Sequence, residues 1–381
     1  MRAWALLLLL GCDQGPSTRA PERPAAPAEP EPTEAKPTEA PSLPSWSAST
    51  VALEGRRLVA FGDVHGDWSA TQRALRLGGL VDAQDRWAGG TTVAVQVGDQ
   101  LDRGDDERLI LDHFVRLGQE AAAAGGLFLP LNGNHEAMNV KGDLRYVTPG
   151  GYAAFADLAA GSSVSADDTQ KGRVAAFHPG GPYALKLAER RAVLIVGDTV
   201  FVHGGLLPEH VRYGIDRINA ETAAWMRGER AMPAIIDGPT APLWTRVYSD
   251  VTPDCASLGE ALGMVGAKRM VVAHTPQESG INAACGEQVW RVDTGMAKAY
   301  GGPVQVLEIA GGAVRVIKEA ARPTGGVSAA PPSGPGHRPP RLRSSGARAP
   351  GRARGRSGAP QAPSLHSPGS SGASGPSSSS G

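Results

Sequence analysis

Three short motifs hold the residues with chemistry to offer. GDVHG occupies Gly62–Gly66, GDQLDRG occupies Gly98–Gly104, and GNHE occupies Gly133–Glu136. Each follows an apolar run of strand character: RLVAF, TTVAVQV and LFLPL. A strand followed by Gly-Asp sets a carboxylate just past the strand's carboxyl end, where ligands collect in open α/β sheets. Asp63 and His65 stand two residues apart and can grip one ion. Asp99 takes the same place after the second run, and Asn134 and His135 after the third. Carboxylate, imidazole and amide oxygen together suit Mn, Fe or Zn. The cysteine spacings of a structural zinc site are absent from the sequence. Two ions roughly 3.5–4 Å apart clamp a phosphoryl group and acidify a shared water. Asp99 is the candidate bridge between them. Arg103 suits bidentate phosphate binding. His135 can protonate a leaving oxygen while Asp102 fixes its tautomer. One such motif alone is a weak signal. Three in order, each after a strand, point to a two-metal phosphoester hydrolase.

The elements around these motifs are legible. Strand-like runs fall at 57–61, 92–97, 127–131, 193–196, 199–203, 269–273, 289–292, 304–309 and 313–318. Helical patterns cover 69–77, with a Ser available as N-cap, and 105–123, where Asp105, Asp106 and Glu107 favour the helix dipole. Early strands alternate with helices, which argues α/β, and later ones come as hairpins. LIVGDTVFVHGG reads as a hairpin delivering His203, and RMVVAHTP as a strand delivering His274. Taken singly, either His reads as an ordinary core or loop residue. Together they supply nitrogen ligands for a second ion.

The motif set GDVHG, GDQLDRG and GNHE resembles that of phosphoprotein phosphatases within the calcineurin-like metallophosphoesterases. GNHEAMNVKGDLRYVTPGGY, GDTVFVHGGLLPEHVRYGI, PLWTRVYSD and VVAHTPQ narrow the resemblance to the Shewanella-like protein phosphatases. The likeness runs from about Leu58 to Ile309. It implies two packed mixed sheets flanked by helices, with metals at the strand ends. It implies Asp63, His65 and Asp99 on one metal, and Asp99, Asn134, His203 and His274 on the other. It implies His135 as general acid with Asp102 as its partner, and Arg103 and Arg246 on phosphate. Manganese is the favoured metal, and a phosphoprotein the expected substrate. Ala273 departs from the GHTP pattern of many relatives. If that turn needs a positive φ, Ala273 strains the second metal site.

The stretch 137–191 is the least regular part of the domain. Lys141 and Arg145 are candidates to meet substrate around the phosphate, or are surface charges. Lys171 and Arg173 carry the same two readings, with ordinary surface charge preferred. Asp293, after another strand, either supports the metal shell or makes a turn.

Length and composition bound the rest. The chain has 381 residues, with 38 Lys and Arg against 38 Asp and Glu. That balance gives no hint of a nucleic-acid partner. The 50 Gly and 31 Pro concentrate at the ends, leaving 49–319 as one catalytic domain with globular composition. The start, MRAWALLLLLGC, is too short to span a bilayer and reads as a secretory signal. LLGC resembles a bacterial lipobox, implying cleavage after residue 11 and lipidation of Cys12; a plain signal with an accidental Cys is the other reading. Acyl chains at Cys12 anchor without a transmembrane helix. The expected location is the bacterial cell envelope, facing periplasm or exterior. Residues 12–48 form a Pro/Ala/Glu-rich tether. Residues 320–381, rich in Pro, Gly, Ser and Arg, read as a disordered tail, solvated or touching anionic surfaces. Cys255 and Cys285 remain, as a disulfide or as two buried thiols.

Three functions fit these residues. The leading one is a phosphatase acting on phosphoprotein monoesters by direct attack of water activated on the metal pair, with Ser/Thr or Tyr phosphate open. The second is hydrolysis of small phosphoesters such as dinucleoside polyphosphates. The third, a non-enzymatic surface lipoprotein, requires a lost metal ligand, and none is missing.

Overall fold

The structure, a computed structural model, describes residues 48–319. The expectations for the signal segment, the Cys12 anchor, the tether to residue 47 and the tail lie outside the described residues. The chain runs through β1 (Thr50–Val51), β2 (Leu58–Phe61), α1 (Trp68–Leu77), β3 (Val93–Gln96), α2 (Glu107–Ala123) and β4 (Leu127–Pro130). Next come α3 (Asn134–Lys141), α4 (Pro149–Ala153), α5 (Asp168–Phe177), α6 (Pro182–Ala188), β5 (Val193–Val196) and β6 (Thr199–Val202). It closes with α7 (Pro208–Tyr213), α8 (Ile215–Met226), α9 (Cys255–Val265), β7 (Arg269–Val272), β8 (Asn282–Ala284), β9 (Val289–Arg291), β10 (Gln305–Ala310) and β11 (Ala313–Lys318). No helix among the described residues is long and apolar enough to cross a membrane.

Two mixed sheets result. One has the order β11-β10-β2-β3-β4, the other β1-β5-β6-β7-β9-β8. β2, β3 and β4 are parallel, so their carboxyl ends share one edge. Alternation along each strand divides its side chains between two cores. Leu58 and Ala60 face the core between the sheets, with Leu194, Phe201 and Val271 from the other sheet. Val59 and Phe61 face outward and pack under Ala74 and Leu75 of α1 and Ile110 and Phe114 of α2. On the far side Val200, Val202 and Met270 pack beneath α6, α8 and α9 through Leu187, Ile218 and Leu262. The layers are helix, sheet, sheet, helix, as the resemblance implied.

Three local expectations are corrected. Helix α1 is capped by Asp67, whose Oδ1 accepts the Ala70 amide at 2.9 Å, not by a serine. The carboxylate caps the helix two residues earlier than Ser69 would, and it reaches the third amide of the turn. Residues 137–191 carry regular helix, from the end of α3 through α4, α5 and α6, over about half their length. Arg173 is not a surface charge; it is fully buried in α5. Two acids far along the chain, Asp102 and Glu107, draw it inward. The cysteine question resolves to a Cys255–Cys285 disulfide, with Cα atoms 5.3 Å apart.

Candidate metal centre

The parallel register of β2, β3 and β4 brings the three motifs to one sheet edge. β6 and β7, parallel neighbours in the other sheet, deliver His203 and His274 to the same place. All of Asp63, His65, Asp99, Asn134, His203 and His274 are buried. The side chains converge on Asp99 Oδ2. His203 Nε2 lies 3.2 Å from it, and the Nε2 atoms of His65 and His135 each 3.8 Å. His65 Nε2 is also 3.8 Å from Asp63 Oδ2. Two groups of three have ligand atoms mutually close enough for a metal: His65, Asp99 and His135, and Asp99, His203 and His274. Asp99 belongs to both.

The side chains fit divalent metals. His65 donates Nδ1–H to the Leu101 carbonyl at 2.9 Å, and His203 donates Nδ1–H to the Val97 carbonyl at 2.7 Å. Each ring therefore turns its Nε2 inward, the orientation of a ligating imidazole, although against the effect of burial the Asp99 carboxylate beside it raises the His203 pKa. Asp63 Oδ1 is buried without a hydrogen-bond partner, an arrangement that is costly unless a cation meets it. Asn134 Oδ1 stands 2.9 Å from His203 Nε2.

The electrostatics agree. Burial, together with the charges of Asp293 and Asp99, pushes the Asp63 carboxyl well above its usual range. Burial acts the same way on Asp99, but the surrounding His203, His135 and His65 outweigh it and hold that carboxyl well below. Burial lowers His65 to about 4, so it stays neutral and able to ligate. Burial, with His203 beside it, lowers His274 to about 2. Asp293 does both things the sequence offered. Its Oδ1 accepts the Gly295 amide at 2.8 Å in a turn, and its charge is one of those that raise the Asp63 carboxyl.

Strain concentrates at this edge. His65, Asp99, Asp102, Arg103 and His274 all have positive φ, between 40° and 68°. Such angles cost a non-glycine residue energy and cluster at functional sites. Ala273 is not among them, so the feared strain at that position does not arise; the left-handed residue is His274 itself, at φ 68°. Close approach explains two glycines. A Cβ on Gly98 would sit 2.7 Å from His203 Nδ1, and one on Gly133 would sit 2.1 Å from Asp99 Oδ1.

Beside the acids lie His135 and Asp102, the pair expected to move a proton. His135 Nδ1 is 2.5 Å from Asp102 Oδ2. Burial opposes the imidazolium, yet Asp99 and Asp102 together raise the His135 pKa above the ordinary value. The Arg103 guanidinium lies between two rings, 4.4 Å from the Tyr146 centroid and 5.2 Å from that of Tyr300. Arg103 and His65 line a cleft of about 590 Å³ that opens this side of the centre. Arg246 stands beside His274, donating to its carbonyl at 3.0 Å and to Thr275 Oγ1 at 2.8 Å. Lys141 and Arg145 are engaged on the surface, with Asp237 and Asp143.

Sequence reasoning gave no role at the site to Glu136, Tyr146, Tyr300 or Asn139, read Glu107 only as favouring the helix dipole, and preferred Arg173 as a surface charge. Only Glu136 left a sequence signal. It stands three residues after Gly133 and returns to the Gly133 amide at 2.6 Å, the acidic half of a capping box.

Known proteins give this arrangement a place. No protein-family model matches the chain. Shewanella-like protein phosphatase 2 of Arabidopsis thaliana is 42% identical over 292 residues, spanning 66% of this chain and 75% of that protein. Shewanella-like protein phosphatase 1 of Plasmodium berghei is 28% identical over 261 residues, spanning 65% and 69%. Among solved structures, the cold-active protein-tyrosine phosphatase of a psychrophilic Shewanella aligns with a TM-score of 0.59 and 25% identity, over 71% of this chain and 82% of that one. Fold and site together define a hydrolase of the phosphoprotein phosphatase class, with a centre suited to divalent metals. Within that class the chain belongs to the Shewanella-like protein phosphatases.

Proposed function

We propose that this protein is a metal-dependent phosphoprotein phosphatase that hydrolyses phosphomonoesters, with phosphotyrosine its preferred residue. The observation that carries the reading is the convergence of three imidazole Nε2 atoms on Asp99 Oδ2. Asp63, His65 and Asp99 would hold one divalent ion, and Asp99, Asn134, His203 and His274 a second, with manganese favoured. Such ions supply Lewis acidity and an activated water. The side chains do the remainder. Arg103, beside His65, and Arg246, beside His274, pair with phosphoryl oxygens, Arg103 with the chemistry that suits bidentate contact. His135, whose pKa is raised against the effect of burial by its acidic neighbours, gives a proton to the departing oxygen. Asp102 holds the opposite ring nitrogen and so fixes which way the donor points. No side chain becomes phosphorylated.

Support for an aryl phosphate comes from the walls. Tyr146 lies 5.3 Å from the His135 ring and Tyr300 5.4 Å from the His65 ring, both tilted. Both are exposed. A phosphotyrosine ring whose phosphate meets Arg103 can lie against the exposed edge of either tyrosine, and so gains aromatic contact that a serine side chain lacks. The Shewanella neighbour named as a protein-tyrosine phosphatase is consistent with this.

The test is phosphate release with added Mn²⁺, on phosphotyrosine peptide, phosphoserine peptide and a dinucleoside polyphosphate in parallel. Turnover that needs Mn²⁺ and favours phosphotyrosine is expected. Preference for phosphoserine would remove the aromatic-wall argument. Activity on the nucleotide alone would move the protein to small phosphoesters.

We also propose that the protein is lipid-anchored at Cys12 in the cell envelope. The lipobox-like start supports this, and the Cys255–Cys285 disulfide suits an oxidising compartment. Fatty-acid labelling that persists in Cys12→Ala would refute it.

A further inference from the structure

Arg173 sits on α5, which carries none of the expected site residues, and is fully buried. A guanidinium in the interior is tolerated only when its donors are satisfied. It has five N–H groups, and five hydrogen bonds are present. Nε binds Asn139 Oδ1 at 2.9 Å. Nη1 binds Glu107 Oε2, and the Gly151 carbonyl at 3.1 Å. Nη2 binds Glu107 Oε1 at 2.9 Å and Asp102 Oδ1 at 3.4 Å. The rings of Phe155 and Phe177 cover the guanidinium, 5.2 and 4.9 Å from it.

These bonds lead to the proton donor. Asp102 Oδ1 meets Arg173 directly, and it also accepts Asn139 Nδ2 at 3.1 Å, while Asn139 Oδ1 is itself held by Arg173. Asn139 Nδ2 further binds the His135 carbonyl at 2.9 Å. Glu107, gripped by Arg173, accepts the Asp102 amide. Asp102 is thus fixed by one oxygen and its backbone, leaving Oδ2 for His135. Without Arg173, the buried carboxylates of Asp102 and Glu107 would face each other with no cation between them.

We infer that Arg173 is a positioning residue for the Asp102–His135 pair: it holds Asp102 in the one rotamer that keeps His135 aimed at the leaving oxygen. This rests on the reading of His135 as the acid. A proton donor matters most when the leaving group is poor. Misalignment should therefore show on phenyl phosphate and hardly on p-nitrophenyl phosphate, whose leaving group departs without a proton. A purely structural role would lower both together.

The experiment compares wild type, Arg173→Met, Arg173→Lys and His135→Asn on both esters, with thermal melting and bound metal measured alongside. Arg173→Met should lose roughly 100-fold in kcat on phenyl phosphate and less than about 5-fold on p-nitrophenyl phosphate, with KM little changed. Arg173→Lys should recover part of the loss on phenyl phosphate. Should Arg173→Met fail to fold, the double variant Glu107→Gln/Arg173→Met removes both buried charges and should show the same split. Equal losses on the two esters, or none, overturn the positioning role when His135→Asn still shows the split. If His135→Asn itself loses equally on both, the acid assignment fails first.

Discussion

Glu136 closes a clasp behind Asp99. Its Oε2 accepts the Asp99 amide at 2.9 Å and the Gly133 amide at 2.6 Å. Its Oε1 accepts the amides of Gln100 at 2.9 Å and Leu101 at 3.2 Å. One buried carboxylate therefore ties α3, which starts with Asn134 and His135, to the loop that carries Asp99 and Asp102. It also helps hold Asp99 at φ 57°, a left-handed angle that costs a non-glycine residue some energy.

Glu136→Gln should break this clasp. The amide replaces one acceptor oxygen with a donor, which then faces backbone N–H groups that have no other partner. Leaving such groups buried and unmet costs about 2–4 kcal/mol. Urea unfolding should show that loss. Metal content after dialysis should fall with it, because the Asp99 carboxylate moves when its backbone relaxes. Wild-type stability and metal retention in this variant would show that Asp99 is placed by something else.

Much of this centre was readable before any coordinates. LVAF alternates between two cores, and its parallel partners carry the same strand signature, so the motif loops had to meet at one edge. The parts that were not readable share a cause: they depend on partners distant in sequence. Arg173 meets Glu107 and Asp102 across 66 and 71 residues, and nothing local marks it as buried. Its helix buries Gly172, Ala175 and Ala176, small residues that leave no apolar stripe to read. Glu136 was visible in its motif, but the backbone amides it binds have no sequence signature. Strands β1 and β8 span two and three residues, too short for a period to register. The cysteine pairing likewise needed a distance, which α9 and the β8–β9 hairpin supply.

That disulfide should contribute measurably to stability. Cys255 opens α9, and Cys285 lies in the turn between β8 and β9, 30 residues away in sequence. Closing a loop of this length restricts the unfolded chain by about 3–4 kcal/mol in the chain-entropy account. The double substitution Cys255→Ala/Cys285→Ala should lower the urea midpoint accordingly. Dithiothreitol should do the same to wild type and nothing further to the double variant. A variant as stable as wild type would mean that the crosslink merely records the compartment.

Stability should also fall in mild acid through a histidine remote from the metals. His113 on α2 is buried, with its ring 4.8 Å from that of Trp68. Arg116 Nη2 donates to its Nδ1 at 2.8 Å, which leaves the ring proton on Nε2 and the ring neutral. Burial, and then the Arg116 charge, depress its pKa to about 4, with Asp85 and Glu120 opposing more weakly. The sign follows from which state takes up the proton first. The unfolded chain protonates this ring near its ordinary value of 6.5, while the folded chain resists until about 4. The neutral ring therefore supports the fold fully above that ordinary value, and its support is lost as pH falls through the window. His113→Gln has nothing to titrate there. The stability difference between wild type and His113→Gln should shrink by about 1–2 kcal/mol from neutral pH to the lower end of the window, after allowance for the solvent that reaches the ring. Unfolding curves at a series of pH values measure it directly, and a difference that stays constant across the window would show that His113 is not held neutral by the fold.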